Sequence, residues 1–236
     1  MIPSSTLPPY FAPQVEKPDE ESHQPQRLSR SRRNVGEPAR YWPQNSTIKI
    51  AIYDYAVDDP YVLAIKKAAA EWGPHINLRF EFVAGEDADV RIAANPTLNH
   101  TGQSMVGTAA QEVPSGHPTM TLPSDHTAQS FTATVLHEFG HMLGAHHAHQ
   151  HPDANIPWNQ ASLDRHFSPS SQRVNWLPLP RSDQYEFSPY DPDSIMHYSI
   201  NPELTTQNLF HSRNATLSAG DIAWANKTYP KVPHTP

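Results

Sequence analysis

Apolar and polar residues begin to alternate at "STIKIAIYDY", where Ile48, Ile50 and Ile52 recur with the period of a half-buried strand. The rhythm then lengthens. In "DDPYVLAIKKAAAEW", Val62, Ile65, Ala69 and Trp72 fall on one face of a helix, Asp58 or Asp59 offers an N-cap, and Pro60 suits the first turn. Alternation returns at Leu78, Phe80 and Phe82 and again at Val90 and Ile92, predicting two further strands. "SMVGTAAQEV" and "TMTL" are weaker strand candidates on either side of a loop, "PSGHP". A second helix is predicted from the Thr127–Ser130 region to Gly144. Beyond it, residues 148–216 lose periodicity and fill with proline, until "LSAGDIAWANKTY" supplies a last helix with Ser218 as cap and Asp221 completing a capping box. A strand, a helix and further strands leading into a second helix predict the α+β class. Its N-terminal lobe is of α/β type, with a mostly parallel sheet and two long helices, and a loop-rich C-terminal lobe ends in a helix.

Residues 1–40 have few apolar anchors among Pro, Ser, Gln, Glu and Arg, and read as a disordered tail or a pro-segment. The expected catalytic domain is therefore 41–230, divided into lobes 41–147 and 148–230. The tail contains Arg30-Ser31-Arg32-Arg33, either a processing site or a solvated charge run.

Composition narrows the functional classes. The net charge of -7, without an extended basic patch, argues against a nucleic-acid partner. The absence of cysteine excludes disulfides, thiolate zinc sites and a cysteine nucleophile. No stretch approaches the roughly 18 apolar residues of a membrane span, and the start shows no Sec-type signal. Four Asn-x-Ser/Thr sequons, at Asn45, Asn99, Asn214 and Asn226, lend faint support to a secreted or extracellular protein, exported by another route or lacking its original start.

The chemistry lies in "VLHEFGHMLGAHH". His137 and His141 stand one helical turn apart, so both imidazoles can reach one ion. Catalytic zinc uses three protein ligands, and Gly144 can end the helix and bring His146 or His147 toward the metal. Glu138 follows the first histidine at about 100° round the helix, a place from which a carboxylate can work on a water beside the ion. A helix merely rich in histidine is the bland alternative. The full match H-E-x-x-H-x-x-G-x-x-H would arise by accident on the order of once in ten thousand such chains. A purely structural zinc site would leave Glu138 without a role.

These residues match the metzincin signature, and "DPDSIMHYSI" resembles its companion Met-turn in the astacin form. "RYWPQNSTIKIAI", "HHAHQHPDANIPWN" and "LSAGDIAWANKTY" are similar to the astacin entry strand, the segment after the third ligand and the final helix, so the likeness spans roughly 40–230. The resemblance implies a zinc-dependent endopeptidase with His137, His141 and His147 as ligands and Glu138 as general base. Met196 would form the apolar floor beneath the imidazoles, and Tyr198 would ligate zinc at rest and then stabilise the oxyanion. It implies one catalytic Zn²⁺, a protein or peptide substrate and a monomer. Calcium has no motif to support it. The chain departs from the astacin pattern at Ala148, where a glutamate usually anchors the mature amino terminus, and in lacking the paired cysteines of animal members. His149 and His151 read as outer or surface residues and His197 as part of the turn, while Asp153 and Asp193 would order loops. Arg165, Arg173 or Arg181 could shape the specificity pocket. A serralysin- or matrixin-like protease, or a non-catalytic module on this scaffold, are the rival readings.

Overall fold

The structure is a computed structural model and describes residues 35–98, 101–167 and 174–231. Five strands form the main sheet: β2 (Thr47–Ile52), β3 (Arg79–Val83), β4 (Val90–Asn95), β5 (Gln103–Ser104) and β6 (Met120–Pro123), in the order β3-β2-β4-β6-β5. All pairs are parallel except β5 with β6, which closes the edge antiparallel. Strand β2 alternates at its start and is continuously buried over Ile50–Ile52, as a central parallel strand covered on both faces should be.

Helix α1 (Pro60–Ala69) starts where Asp59 accepts a hydrogen bond from the Tyr61 amide at 2.8 Å, which selects Asp59 over Asp58 as cap. Helix α2 (Phe131–Met142) packs against it, and the Trp72 indole beyond α1 donates to the Leu136 carbonyl. Helix α2 is buried almost all round, so its apolar residues show no single stripe. Trp72 and Phe139 are fully buried, each contributing about 1.5–3 kcal/mol of transfer free energy. Gly144 ends the α2 segment at φ 100°, a conformation that favours glycine.

Two expectations need correction. "SMVGTAAQEV" is a strand only at its threshold: after β5 it becomes a 3-10 helix over Gly107–Glu112. Gly107 there has φ 51°, and a Cβ on it would lie 1.8 Å from the Arg40 carbonyl oxygen, so close chain packing, not alternation, governs this stretch. Residues 35–40, assigned to the tail, are ordered parts of the fold. Val35 is fully buried, and β1 (Val35–Gly36) is the middle strand of a second, antiparallel sheet between β7 (Ala145–His146) and β8 (Glu186–Phe187). A two-residue strand held by backbone bonds leaves no hydrophobic period to read. The remainder of the predicted tail, 1–34, lies outside the described residues.

Among the described residues, the proline-rich segment after β7 holds one short α-helix, α3 (Gln160–His166), capped by Asn159 and not foreseen from the sequence. The final helix α4 (Ala219–Thr228) carries the expected Ser218–Asp221 capping box. Asp221 is fully buried and does more than cap: it accepts from the Ser194 hydroxyl and the Ile195 amide, tying α4 to the loop that carries Met196.

Candidate active site and metal centre

Helix α2 presents His137 and His141 side by side, and the chain reversal at Gly144 brings His147 to the same point. One potential ligand atom from each of the three lies within 4.8 Å of the others, and all three residues are buried. Their Nδ1 atoms are already engaged. His137 Nδ1 donates to the Ile195 carbonyl and His141 Nδ1 to the Ala145 carbonyl, both at 2.8 Å, and His147 Nδ1 bonds Gln150 Oε1 at 3.2 Å. These bonds select the tautomer that leaves each Nε2 lone pair bare, the form a metal takes. His141 Nε2 and His147 Nε2 stand 3.0 Å apart. Tetrahedral zinc with Zn–N bonds of about 2.0–2.1 Å places neighbouring nitrogens about 3.3 Å apart, so the triad fits that ion. Burial pushes the His137 imidazole down to about 3, His141 to about 4 and His147 well below the usual range, which keeps the set neutral.

His146 faces the other way. Its Nε2 meets Glu37 Oε2 at 2.8 Å, and Gln184 donates to the other oxygen of that carboxylate. The doublet thus divides: His147 toward the ligand cluster, His146 toward β1. The Ala148 amide donates to the Met196 carbonyl at 3.0 Å, joining the segment after the third histidine to the loop beneath the imidazoles.

Met196 is fully buried beneath the helix, and a Cβ on Gly140 would come within 2.3 Å of its sulfur. That contact, together with the Ile195–His137 bond, sets the loop directly under the imidazoles. The Tyr198 ring lies 4.1 Å from the His147 ring and 5.8 Å from that of His137, and stacks on His149 at 4.5 Å. Burial first, and then the Glu138 carboxyl, push the Tyr198 hydroxyl well above its ordinary range, so it remains a proton-bearing donor at neutral pH.

Glu138 is buried beside the triad on a cavity of about 240 Å³, whose walls include Gly102, His137, Trp176, Tyr198 and Arg213. Burial raises its carboxyl to about 8, against the opposing pulls of the Arg213 guanidinium and the Gly102 N–H. Its Oε2 has no hydrogen-bond partner among the described residues. His149 is buried, bonding the Asn175 carbonyl through Nε2 and accepting from the Tyr198 amide through Nδ1; it shapes the tyrosine's surroundings and is not in the ligand cluster. His151 is buried with Nδ1 on the Asp153 amide. His197 bonds the Tyr198 carbonyl and the Tyr190 hydroxyl within the turn.

The arginine at the cavity is not one of those singled out. Arg165 lies exposed on α3, Arg181 is paired with Asp153 at the surface, and Arg173 falls outside the described residues. Arg213 lines the cavity instead, donating to Thr134 Oγ1 on α2 at 2.9 Å. Trp176, which packs edge-on against Tyr198, and Gln150, which supports His147, were also missed. Contacts between distant parts of the chain single out Arg213 and Trp176, whereas Gln150 supports His147 from three residues away.

Comparison with known proteins gives a consistent picture. The family described as Astacin (Peptidase family M12A) matches residues 34–229. The structure is similar to that of myroilysin, with TM-score 0.75 and 32% identity over 84% of this chain and 99% of that one. It also resembles in fold a hatching-enzyme zinc-protease from Oryzias latipes, with TM-score 0.54 and 18% identity over 80% of this chain and 93% of that one. Among curated relatives, human Tolloid-like protein 1 is 32% identical over 40% of this chain and the zinc metalloproteinase nas-2 of Caenorhabditis elegans 32% identical over 43%. The aligned part spans only 11% of the former and 33% of the latter.

Proposed function

This chain belongs to the astacin family of peptidases, and from that premise we propose that it is a zinc-dependent endopeptidase in which Glu138 is the general base and Tyr198 the oxyanion donor. The observation that carries the reading is the convergence of three imidazole nitrogens beside a buried carboxyl group, one oxygen of which has no hydrogen-bond partner among the described residues. Zinc held by His137, His141 and His147 would lower the pKa of water to about 7 and polarise a carbonyl.

The chain's own residues do the rest. Glu138 Oε2 accepts a proton from the attacking water as the oxygen adds to the scissile carbonyl carbon, and returns that proton to the departing amine as the C–N bond breaks. The Tyr198 O–H donates to the carbonyl oxygen as negative charge collects there. Met196 and Asp221 position the ligands from below, through the His137–Ile195 bond and the loop that Asp221 anchors. Arg213 and Trp176 give the cavity one cationic and one aromatic wall.

The catalytic unit in this proposal runs from the start of β1, with a lobe up to His147 and another from Ala148. It acts as a monomer on protein or peptide chains in an extracellular setting. No helix among the described residues is long and apolar enough to cross a membrane. Asn45, exposed in a turn, suits a glycan, whereas the Asn214 amide is spent on the Pro192 and Ser194 carbonyls.

The test is casein digestion by zinc-loaded protein, read as new amino termini. Internal cuts are expected, and release of single terminal residues alone would overturn the endopeptidase reading. In the same assay Tyr198→Phe is expected to lower kcat about 100-fold with zinc content unchanged, the effect of losing one oxyanion donor. An unchanged kcat would remove that role from the tyrosine.

A further inference from the structure

We infer that Gly102 is a positioning residue for the general base: its missing side chain lets the edge-strand backbone close onto the Glu138 carboxylate and hydrogen-bond to it. The inference rests on the peptidase reading above and adds to it a residue that the metal-binding motif does not contain.

Gly102 immediately precedes β5. A Cβ built on it would lie 2.6 Å from Glu138 Cγ, 2.8 Å from Oε1 and 2.9 Å from Cδ. Those atoms make up the working end of the side chain, and ordinary contact would need each about an ångström farther away. Hydrogen bonding from the Gly102 backbone pulls the carboxyl's pKa down, against the larger effect of burial. The two oxygens differ: Oε1 is the one a Cβ on Gly102 would meet, and Oε2 has no hydrogen-bond partner among the described residues.

Backbone conformation does not explain the glycine. Gly85, Gly107, Gly116 and Gly144 have positive φ, and Gly102 is not among them. Space is the remaining reason, because a methyl group here would compete with the carboxylate for the same volume. Neither side can withdraw easily. Residues 103 and 104 are paired to Thr121 and Met120 of β6, and Glu138 stands on a helix whose neighbouring side chains are all buried. The carboxylate must therefore shift, and it must shift relative to the imidazoles of its own helix.

The experiment is a double-mutant cycle with zinc-loaded wild type, Gly102→Ala, Glu138→Asp and the double variant. Misplacing a reacting group by about 1 Å can cost about 100-fold, so Gly102→Ala is expected to lower kcat on a peptide substrate by about that factor. KM, zinc stoichiometry and the melting temperature should stay near the wild-type values. In the Glu138→Asp background, where the carboxylate is one methylene shorter and clears the new methyl group, the same substitution should cost less than about tenfold. Affinity for a peptide hydroxamate, read by calorimetry and so independent of turnover, should fall in Gly102→Ala and recover in the double variant.

Equal losses in both backgrounds would overturn the inference, as would wild-type kcat and hydroxamate affinity in Gly102→Ala. Loss of zinc or of the folding transition in that variant would also overturn it, assigning the glycine a structural role. A wild type that binds hydroxamate but cuts no peptide would count against the peptidase reading alone, and the calorimetric cycle would still decide the role of Gly102.

Discussion

Glu138→Ala is expected to lower kcat by about 10⁴-fold while the protein keeps its zinc and its fold. General acid–base catalysis contributes about 10²–10⁴-fold, and here one carboxylate serves both proton transfers, so the upper end applies. Stability should not suffer in proportion. The carboxyl is buried, desolvation raises its pKa, and Oε2 has no hydrogen-bond partner among the described residues, so removing it relieves an unfavourable burial at the cost of a small void. An alanine variant as stable as wild type yet nearly inactive would mark Glu138 as a residue kept for chemistry. Casein turnover per bound zinc, beside a thermal melt, measures both. Equal turnover by the two proteins would remove the general base from the account.

The second large effect separates the two members of the histidine doublet. His147→Ala is expected to abolish stoichiometric zinc binding, and His146→Ala to retain it. His147 supplies one of three converging nitrogens, and its loss must weaken zinc binding by more than the about 10–100-fold typical of losing a supporting partner. His146 instead bonds Glu37, joining β7 to β1. Its removal should cost about 1 kcal/mol or less of stability, as for a hydrogen bond at a partly exposed pair. Metal analysis after gel filtration decides between them, and zinc retained by His147→Ala would reverse the assignment.

The contrast between those two histidines shows what the sequence could and could not disclose. Spacing on a helix is local, so His137, Glu138 and His141 were readable from 3.6-residue geometry alone, and the reversal at Gly144 was readable from glycine's conformational freedom. Spacing left His146 and His147 equivalent. Resemblance to the metzincin pattern favoured His147, and in the structure it is His147 that converges with the helical pair while His146 pairs with Glu37, 109 residues earlier in the chain. The main sheet was legible for the same local reason, since β2, β3 and β4 alternate where they should. Strand β1 was not, because two residues have no period, and the 3-10 helix after β5 was not, because it is set by the close approach of Gly107 to Arg40 in the folded chain. Arg213 and Gly102 bear on Glu138 from distant parts of the chain. Arg213 is held by a hydroxyl 79 residues away, and Gly102 is required by a clash that exists only after folding. The Asp221 capping box was legible as a helix start, but its grip on the Met196 loop was not, because that contact spans 26 residues of irregular chain.

Peptide-bond hydrolysis by this chain should depend on a metal bound by the triad of His137, His141 and His147. The most direct measurement of that dependence is a titration of chelator-stripped protein with Zn²⁺, following cleavage of an internally quenched peptide. No cleavage is expected in the stripped protein, and activity should return linearly with a break at one equivalent of zinc per chain. Cleavage that persists in the stripped protein, or that fails to return when one zinc has bound, would contradict it.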